Sequence, residues 1–162
     1  MPIPPGNITA LWPPSGIAWA ANLCFGYRFW PAILLADMLT NVPGLFDSSH
    51  DLTKTIATAC IGAFGSVFEA IGGTILLRRW LGNFYLFDRS ENIFKFILIT
   101  LVCTAISALF GVSVTCLSGI ADWNNFSYFW YTWWIGNAIG VIVFTPMLLT
   151  WRHYLQHQIK PR

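Results

Sequence analysis

The sequence predicts an all-α protein, a polytopic bundle of about five transmembrane helices, and three observations predict it. Hydrophobic residues make up 56% of the 162 residues and charged residues 10%, against roughly 45–50% and about 25% in soluble domains. The apolar stretches 56–77, 96–117 and 129–150 each have the length of a spanning helix, about 22 residues or 33 Å. Aromatic residues make up 17%, with nine Trp, and Trp and Tyr concentrate at membrane surfaces. The composition therefore argues against a soluble domain.

The N-terminal part of the chain predicts two short helices. Residues 15–42 are apolar but are broken by the sequence GYRFWP at residues 26–31. One continuous span would place Arg28 and a helix-breaking proline at mid-membrane, so two short helices over about 14–26 and 31–42 are favoured over it.

Three full spans follow, with predicted ranges 53–77, 93–117 and 128–151. We expect one membrane-embedded domain over residues 1–151 and a basic cytoplasmic tail over 152–162. The tail is either the stub of a removed output domain or a true end.

Basic residues predict which helix ends face the cytoplasm. If the loop between residues 42 and 53 faces outside, eight of the nine Lys and Arg residues face inside, as the positive-inside rule requires. The eight are Arg28, Arg78, Arg79, Arg89, Lys95, Arg152, Lys160 and Arg162, and Lys54 is the exception. Five helices then place residue 1 outside. We therefore expect either that the first two helices insert together or that an upstream helix is missing from this chain.

Glu69 is the first candidate for a ligand or partner site. It precedes Arg78 by about 13 Å of helix, which puts a carboxyl near the bilayer centre. Because that placement is costly, the side chain should face the bundle interior and be protonated or paired. The small residues Gly62, Ser66 and Gly73 share its helix face, which predicts close helix packing. Both a ligand or proton site and a structural hydrogen bond to a neighbouring helix remain open.

Asp37 is the second candidate, with Asn41 one helical turn later. It could face Glu69 across the bundle, in which case the two carboxyls would share a proton. Alternatively, Asp37 reaches the aqueous outer side from the end of a short helix, about 8 Å away.

Two Trp-rich segments supply the other candidates. WPPSG at residues 12–16 predicts a helix start with Trp12 at the membrane interface. WWIGNAIG at residues 133–140 contains Trp134 and Asn137, with Gly136 and Gly140 in a G-x-x-x-G spacing. This spacing favours a packing surface over ligand contact.

Several functions have no support in the residue pattern. The four cysteines are isolated in apolar stretches, and the three histidines do not share a region, so no metal site or cofactor is predicted. No nucleophile–base set or phosphate loop is present, so the protein is predicted not to be an enzyme. A net charge of +2 with dispersed basic residues also argues against nucleic-acid binding.

Four segments together resemble a known family. They are WPPSGIAW at 12–19, GYRFWPAILLADMLTN at 26–41, FEAIGGTILLRR at 68–79 and WWIGNAIGVIVFTPMLL at 133–149. Their order and spacing are similar to the signature segments of the MASE family, type one, the bacterial membrane-associated sensor domain. The resemblance runs from about residue 8 to residue 151. It implies location in the cytoplasmic membrane and a position ahead of a histidine kinase or a diguanylate cyclase or phosphodiesterase output.

Thirteen residues match the pattern of this family, and two residues depart from it. The matches are Trp12, Pro13, Pro14, Gly16, Gly26, Arg28, Trp30, Pro31, Glu69, Trp134, Gly136, Gly140 and Pro146. Asn137 stands where the family usually has Asp, which removes a charge, and Asp37 stands where a small residue is more usual. The resemblance also implies a helix ahead of WPP, in agreement with the orientation argument.

Three functions follow as expectations. The first is a sensory input domain that binds a stimulus or partner in the bilayer and signals through the last helix. The second is a freestanding accessory subunit packed in a larger membrane complex. The third is a small-molecule binding or transport module, suggested by the broken first helices and the intramembrane carboxyls. In each case the expected partners are lipid and either other membrane proteins or further copies of this chain.

Overall fold

A computed structural model describes residues 11–81 and 90–159. These residues are helical except for the short connections between helices, and they contain no strand, which confirms the all-α prediction. The helices are α1 (Pro13–Phe25), α2 (Trp30–Ser49), α3 (Leu52–Leu81), α4 (Ser90–Leu117) and α5 (Phe126–Ile159). Short 3-10 turns precede α2 and α5, at Tyr27–Phe29 and Trp123–Asn125.

Four of the five helices are long and apolar enough to cross a membrane, with spans at Tyr27–Ser49, Leu52–Trp80, Ser90–Leu117 and Trp123–Gln156. Helix α1 has 13 residues, about 20 Å, which is two thirds of the hydrocarbon thickness. The prediction that the first helix is short is therefore confirmed.

The prediction that the second helix is short is wrong. Helix α2 has 20 residues and continues through Pro43 to Ser49, whereas the sequence suggested an end at Val42. Proline removes one backbone hydrogen bond, but ending the helix inside a membrane would expose several unpaired backbone groups. Continuing the helix is the less costly outcome.

The connections between helices follow local turn chemistry. Between α1 and α2 the chain turns at Gly26, whose φ of 85° is a conformation that suits glycine; the predicted break near Arg28 is thus confirmed. Helix α2 ends at His50 in the left-handed conformation. Asp51 then caps α3, because its Oδ1 accepts the N–H groups of Thr53 at 2.9 Å and Lys54 at 3.2 Å.

Contacts between helices show their relative directions. Ser66 bonds Asp37 and Ser49 bonds Thr55, so residue numbers run in opposite directions along the α2–α3 pair. The same holds for α4 and α5, where Trp130 bonds Ala105 and Trp134 bonds Leu101.

Helix α1 instead runs parallel to α5, because Trp12 contacts Gly136 and Gly16 contacts Thr145. Helices α1, α3, α4 and α5 form a closed ring, and α2 packs on the outside of α3.

The outer surface of the bundle is apolar. Large side chains such as Leu39, Phe68, Phe94 and Leu117 are 69–75% exposed, in positions where a soluble helix carries charges. Such a surface matches lipid, and together with the four spans it describes a multi-pass membrane protein.

The C-terminal end of the bundle is continuous with the segment predicted as a tail. Helix α5 passes through Trp151 and Arg152 without a break and continues to Ile159. Residues 160–162, and with them Lys160 and Arg162, lie outside the described residues, as do Arg89 and residues 1–10.

Candidate functional site

Glu69 of α3 lies at the centre of the helix ring, where its carboxyl meets side chains from the other three ring helices. Its side chain is 4% exposed. Trp19 Nε1 of α1 donates to Oε1 at 3.3 Å, and Asn137 Nδ2 of α5 donates to Oε2 at 3.0 Å. The hydroxyl of Ser107 on α4 lies near the same carboxyl. We call Trp19, Glu69, Ser107 and Asn137 the polar node.

A glycine on α3 makes room for the indole of the polar node. Trp19 is fully buried, and its six-membered ring lies directly on Gly73, where an added Cβ would collide with it. The ring of Phe96 packs edge-on against the indole, with 6.5 Å between centroids. Gly73 therefore sets the depth at which the indole N–H can reach Glu69, one turn earlier on the same helix.

The polar node surrounds the carboxyl with hydrogen-bond donors instead of a counter-ion. Within residues 11–81 and 90–159 the one ion pair joins Lys95 to Glu91, at 2.6 Å, away from the node. Two N–H donors occupy the oxygens of the carboxyl, so this arrangement gives a buried carboxyl hydrogen-bond partners without an arginine or lysine. Asn137 Oδ1 has no hydrogen-bond partner among the described residues although it is buried. The node thus retains one open acceptor.

Asp37 belongs to a second polar group, between α2 and α3. Its Oδ1 accepts the Ser66 hydroxyl at 2.9 Å, and its Oδ2 accepts Asn41 Nδ2 at 3.2 Å. Ser66 lies three residues before Glu69 on α3, so the two groups are neighbours. Each carboxyl has its own donors, and the described residues show no direct bond between the carboxyls.

The expectation that Asp37 lies near the end of a short helix is wrong. Helix α2 continues 12 residues beyond it, to Ser49, which is about 18 Å of helix. Asp37 is therefore a mid-helix residue.

The WPP segment makes a direct backbone contact with α5. The Trp12 N–H donates to the Gly136 carbonyl at 3.0 Å, and a Cβ at Gly140 would collide with the Trp12 carbonyl oxygen. Thr145 Oγ1 donates to the Gly16 carbonyl at 3.0 Å. Helices α1 and α5 therefore touch along their backbones, through glycines on both sides.

This contact places the start of α1 inside the bundle. Gly136 lies about 15 Å along α5 from Phe126, so the Trp12 backbone is held beside the interior of α5; the interfacial position of the Trp12 ring stays a prediction. A helix start normally leaves several N–H groups without partners. Here Pro13 and Pro14 have no N–H to leave, and the Trp12 N–H is bonded. The WPP sequence thus suits a helix that begins in apolar surroundings.

Trp134 has a different place from the polar node. Its Nε1 donates to the Leu101 carbonyl at 2.9 Å, and the neighbouring Trp130 donates to Ala105 at 3.1 Å. The two indoles are stacked, with centroids 5.3 Å apart. They join α4 to α5, and in the described residues Trp134 makes no bond to Glu69.

Of the predicted packing residues, some lie at helix contacts and one does not. Gly73 and Gly140 lie at close helix contacts, Gly136 accepts the Trp12 N–H, and Ser66 binds Asp37. At Gly62 no described atom lies within 4 Å of an added Cβ, so the structure places no neighbouring helix there.

Sequence reasoning missed Trp19 and Ser107, and it named Gly16 only as part of the WPPSG segment, not as a contact of α5. For Trp19 a signal exists: it lies in the middle of an apolar helix, away from the interface that Trp prefers. For Ser107 we find no such signal.

Chemically, the polar node offers a carboxyl, an indole N–H and an amide, which can bind a proton or a hydrogen-bonding group. Within the described part of the chain no group of three His, Cys, Asp or Glu residues could hold a metal ion. The four cysteines are free thiols.

Comparison with protein families matches residues 3–162 to MASE1. Neither the curated proteins nor the solved structures gave a match to the chain. The match covers nearly the whole sequence and agrees with the four spans of the bundle. The chain therefore belongs to the MASE1 family of membrane-associated sensor domains.

Proposed function

We propose that this chain is the signal-input domain of a bacterial inner-membrane sensor, and that the polar node is where a stimulus or partner acts. The observation that carries the proposal is that Trp19 of α1 and Asn137 of α5 both donate to the Glu69 carboxyl of α3, with Ser107 of α4 close to it. A change at this carboxyl alters bonds to α1 and α5 together, so it can shift their relative position.

Helix α5 is the proposed output element. It carries Asn137 of the polar node and continues to Ile159, beyond the apolar part of the bundle. Because α1 and α5 touch through Gly16 and Gly140, a movement of α1 is passed directly to α5. Tightly packed helices change position in discrete steps rather than continuously.

The orientation belongs to the same proposal. Five of the six described Lys and Arg residues lie at one end of the bundle, and Lys54 lies at the other. The basic end faces the cytoplasm under the positive-inside rule, which places the end of α5 there as well.

The accessory-subunit alternative is favoured by one observation. Glu69 and Asn137 are only 4% and 1% exposed, as expected for a node that only pins helices together. Partners would then be neighbouring membrane proteins, held by the apolar outer surface. The transport alternative loses the support of a broken second helix, since α2 is continuous.

A reporter fusion separates the sensor from the accessory subunit. The whole chain is fused after Arg162 to a histidine-kinase reporter, and autophosphorylation is measured for the native sequence and for Glu69→Gln. Glutamine keeps the size of the side chain but presents a donor to Trp19 and Asn137. We expect kinase output to change at least about fivefold, the scale of a typical allosteric coupling.

The matched control is Asp47→Asn. Asp47 is an exposed carboxyl at the end of the bundle opposite to the end of α5, so this change should leave kinase output unchanged. Equal output from Glu69→Gln and the native chain would contradict the sensor proposal. If the native chain and the Glu69→Gln variant then also co-migrate with a larger complex at fixed stoichiometry in mild detergent, the accessory subunit is favoured.

A further inference from the structure

Four arginines gather at the end of the bundle where α1 turns into α2. They are Arg28 on the turn, Arg78 and Arg79 at the end of α3, and Arg152 on α5; we call them the arginine rim. Arg28, Arg78 and Arg79 are exposed and Arg152 is half-buried. Three separate elements therefore contribute guanidinium groups to one edge of the protein.

Arg78 is held in place by the end of α1. Its Nη2 donates to the carbonyls of Asn22 at 3.3 Å and Leu23 at 3.1 Å, and its Cζ lies 5.2 Å from the centre of the Tyr27 ring. These bonds use two of the five N–H donors that an arginine carries. The side chain is exposed, so the remaining donors can bind a further group.

Arg152 lies against the last residue of α1, next to the same turn. Its Cζ lies 5.2 Å from the centre of the Phe25 ring, which packs on Phe29 with 5.1 Å between centroids. Cation–π contacts orient both guanidinium groups. The turn thus holds cations from α3 and from α5 on rings only two residues apart.

The described residues do not supply an acid to neutralise the rim. Glu91, the one described carboxylate at this end, bonds Lys95 at 2.6 Å. The other described carboxylates are Asp37 and Glu69 in the bundle interior and Asp47, Asp51 and Asp122 at the opposite end. Among residues 11–81 and 90–159 the rim therefore carries excess positive charge.

Exposed tryptophans show where the arginine rim lies relative to the membrane. Each contributing element also carries a tryptophan within two residues of a rim arginine: Trp30, Trp80 and Trp151, which are 45%, 53% and 62% exposed. Tryptophans in such positions lie at the level of lipid headgroups. An anion that reaches the rim there comes most readily from the lipid leaflet itself.

We propose that the arginine rim is a binding site for the phosphate of an anionic phospholipid. Guanidinium groups bind phosphate oxygens through paired, charge-assisted hydrogen bonds, and clusters of basic residues beside membrane helices bind anionic headgroups. One headgroup contacting Arg28, Arg78 and Arg152 joins the α1–α2 turn to the ends of α3 and α5. Bound lipid therefore stabilises the packing of the output helix. This site does not depend on the role proposed for Glu69.

Lipid nanodiscs test the site with the whole chain. The melting temperature is measured in phosphatidylcholine alone and in phosphatidylcholine containing phosphatidylglycerol. We expect phosphatidylglycerol to raise it by about 2–4 °C or more. The double variant Arg28→Gln with Arg152→Gln should lose this shift, while Arg78 and its bonds to α1 stay. The control Lys54→Gln, a basic residue at the opposite end, should keep it.

Two results would overturn the proposal. An equal shift in the double variant would show that the rim does not bind the lipid. An equal shift from free inorganic phosphate in phosphatidylcholine would assign the rim to soluble phosphates instead. Native mass spectrometry of the unaltered chain gives a measurement that does not rely on variants folding: preferential retention of phosphatidylglycerol is expected, and equal retention of both lipids contradicts the site.

Discussion

Replacing Glu69 with alanine is expected to lower the free energy of unfolding by about 2–4 kcal/mol, because the change leaves both a cavity and unpaired donors. The Nε1 of Trp19 and the Nδ2 of Asn137 would lose their acceptor in the bundle interior. Removing a buried carboxyl also removes its desolvation cost, which is why the expected loss stays below the sum of these effects.

The measurement is reversible unfolding in bicelles, with Phe68→Ala as the control. Phe68 neighbours Glu69 in sequence but is 69% exposed on the outer surface, so its truncation should cost much less. The loss of unfolding free energy for Glu69→Gln should lie between the losses for these two variants, because the amide oxygen of glutamine can accept only some of the original hydrogen bonds. An equal loss for Glu69→Ala and Phe68→Ala would show that the polar node does not stabilise the bundle.

Replacing Gly140 with alanine is expected to lower the free energy of unfolding by about 1–3 kcal/mol, the usual effect of overpacking. The added Cβ would meet the carbonyl oxygen of Trp12. That neighbour is backbone and cannot rotate away, so α1 must shift as a unit. The shift would strain the bond from Trp12 to Gly136 and the bond from Thr145 to Gly16.

Gly62→Ala is the matched control for Gly140→Ala. At Gly62 no described atom lies within 4 Å of the added Cβ, and alanine is preferred over glycine inside a helix by up to about 1 kcal/mol. The two substitutions should therefore have opposite signs in the same unfolding assay. If both raise or both lower stability to the same extent, the close α1–α5 contact is contradicted. Resistance of α1 to proteolysis provides a second readout should Gly140→Ala give too little folded protein.

The fold was largely predictable because hydrophobic length and breaker residues act locally. The sequence GYRFWP marked the turn between α1 and α2, and the apolar stretches marked α3, α4 and α5. Pro43 misled the prediction for α2, since a proline that ends a helix in water is tolerated where unpaired backbone groups cost more.

The polar node was only partly predictable. Glu69 and Asn137 were recognised because polar groups in apolar helices are costly and therefore informative. Their partner Trp19 was missed because its role depends on Gly73, a residue 54 positions later that leaves room for the ring. The sequence predicted close packing at Gly136 and Gly140, but not that their partner would be the backbone of Trp12.

Glu69 and Asn137 are expected to be energetically coupled across α3 and α5, and a double-mutant cycle measures that coupling. Unfolding free energies are measured for Glu69→Met, Asn137→Ala and the double variant, beside a parallel cycle of Glu69→Met with Trp134→Phe. Trp134 bonds Leu101 instead of Glu69, so that second pair should be additive to within about 0.3–0.5 kcal/mol. For Glu69 with Asn137 we predict a coupling of about 1 kcal/mol or more. A coupling no larger than that of the control pair would contradict the account.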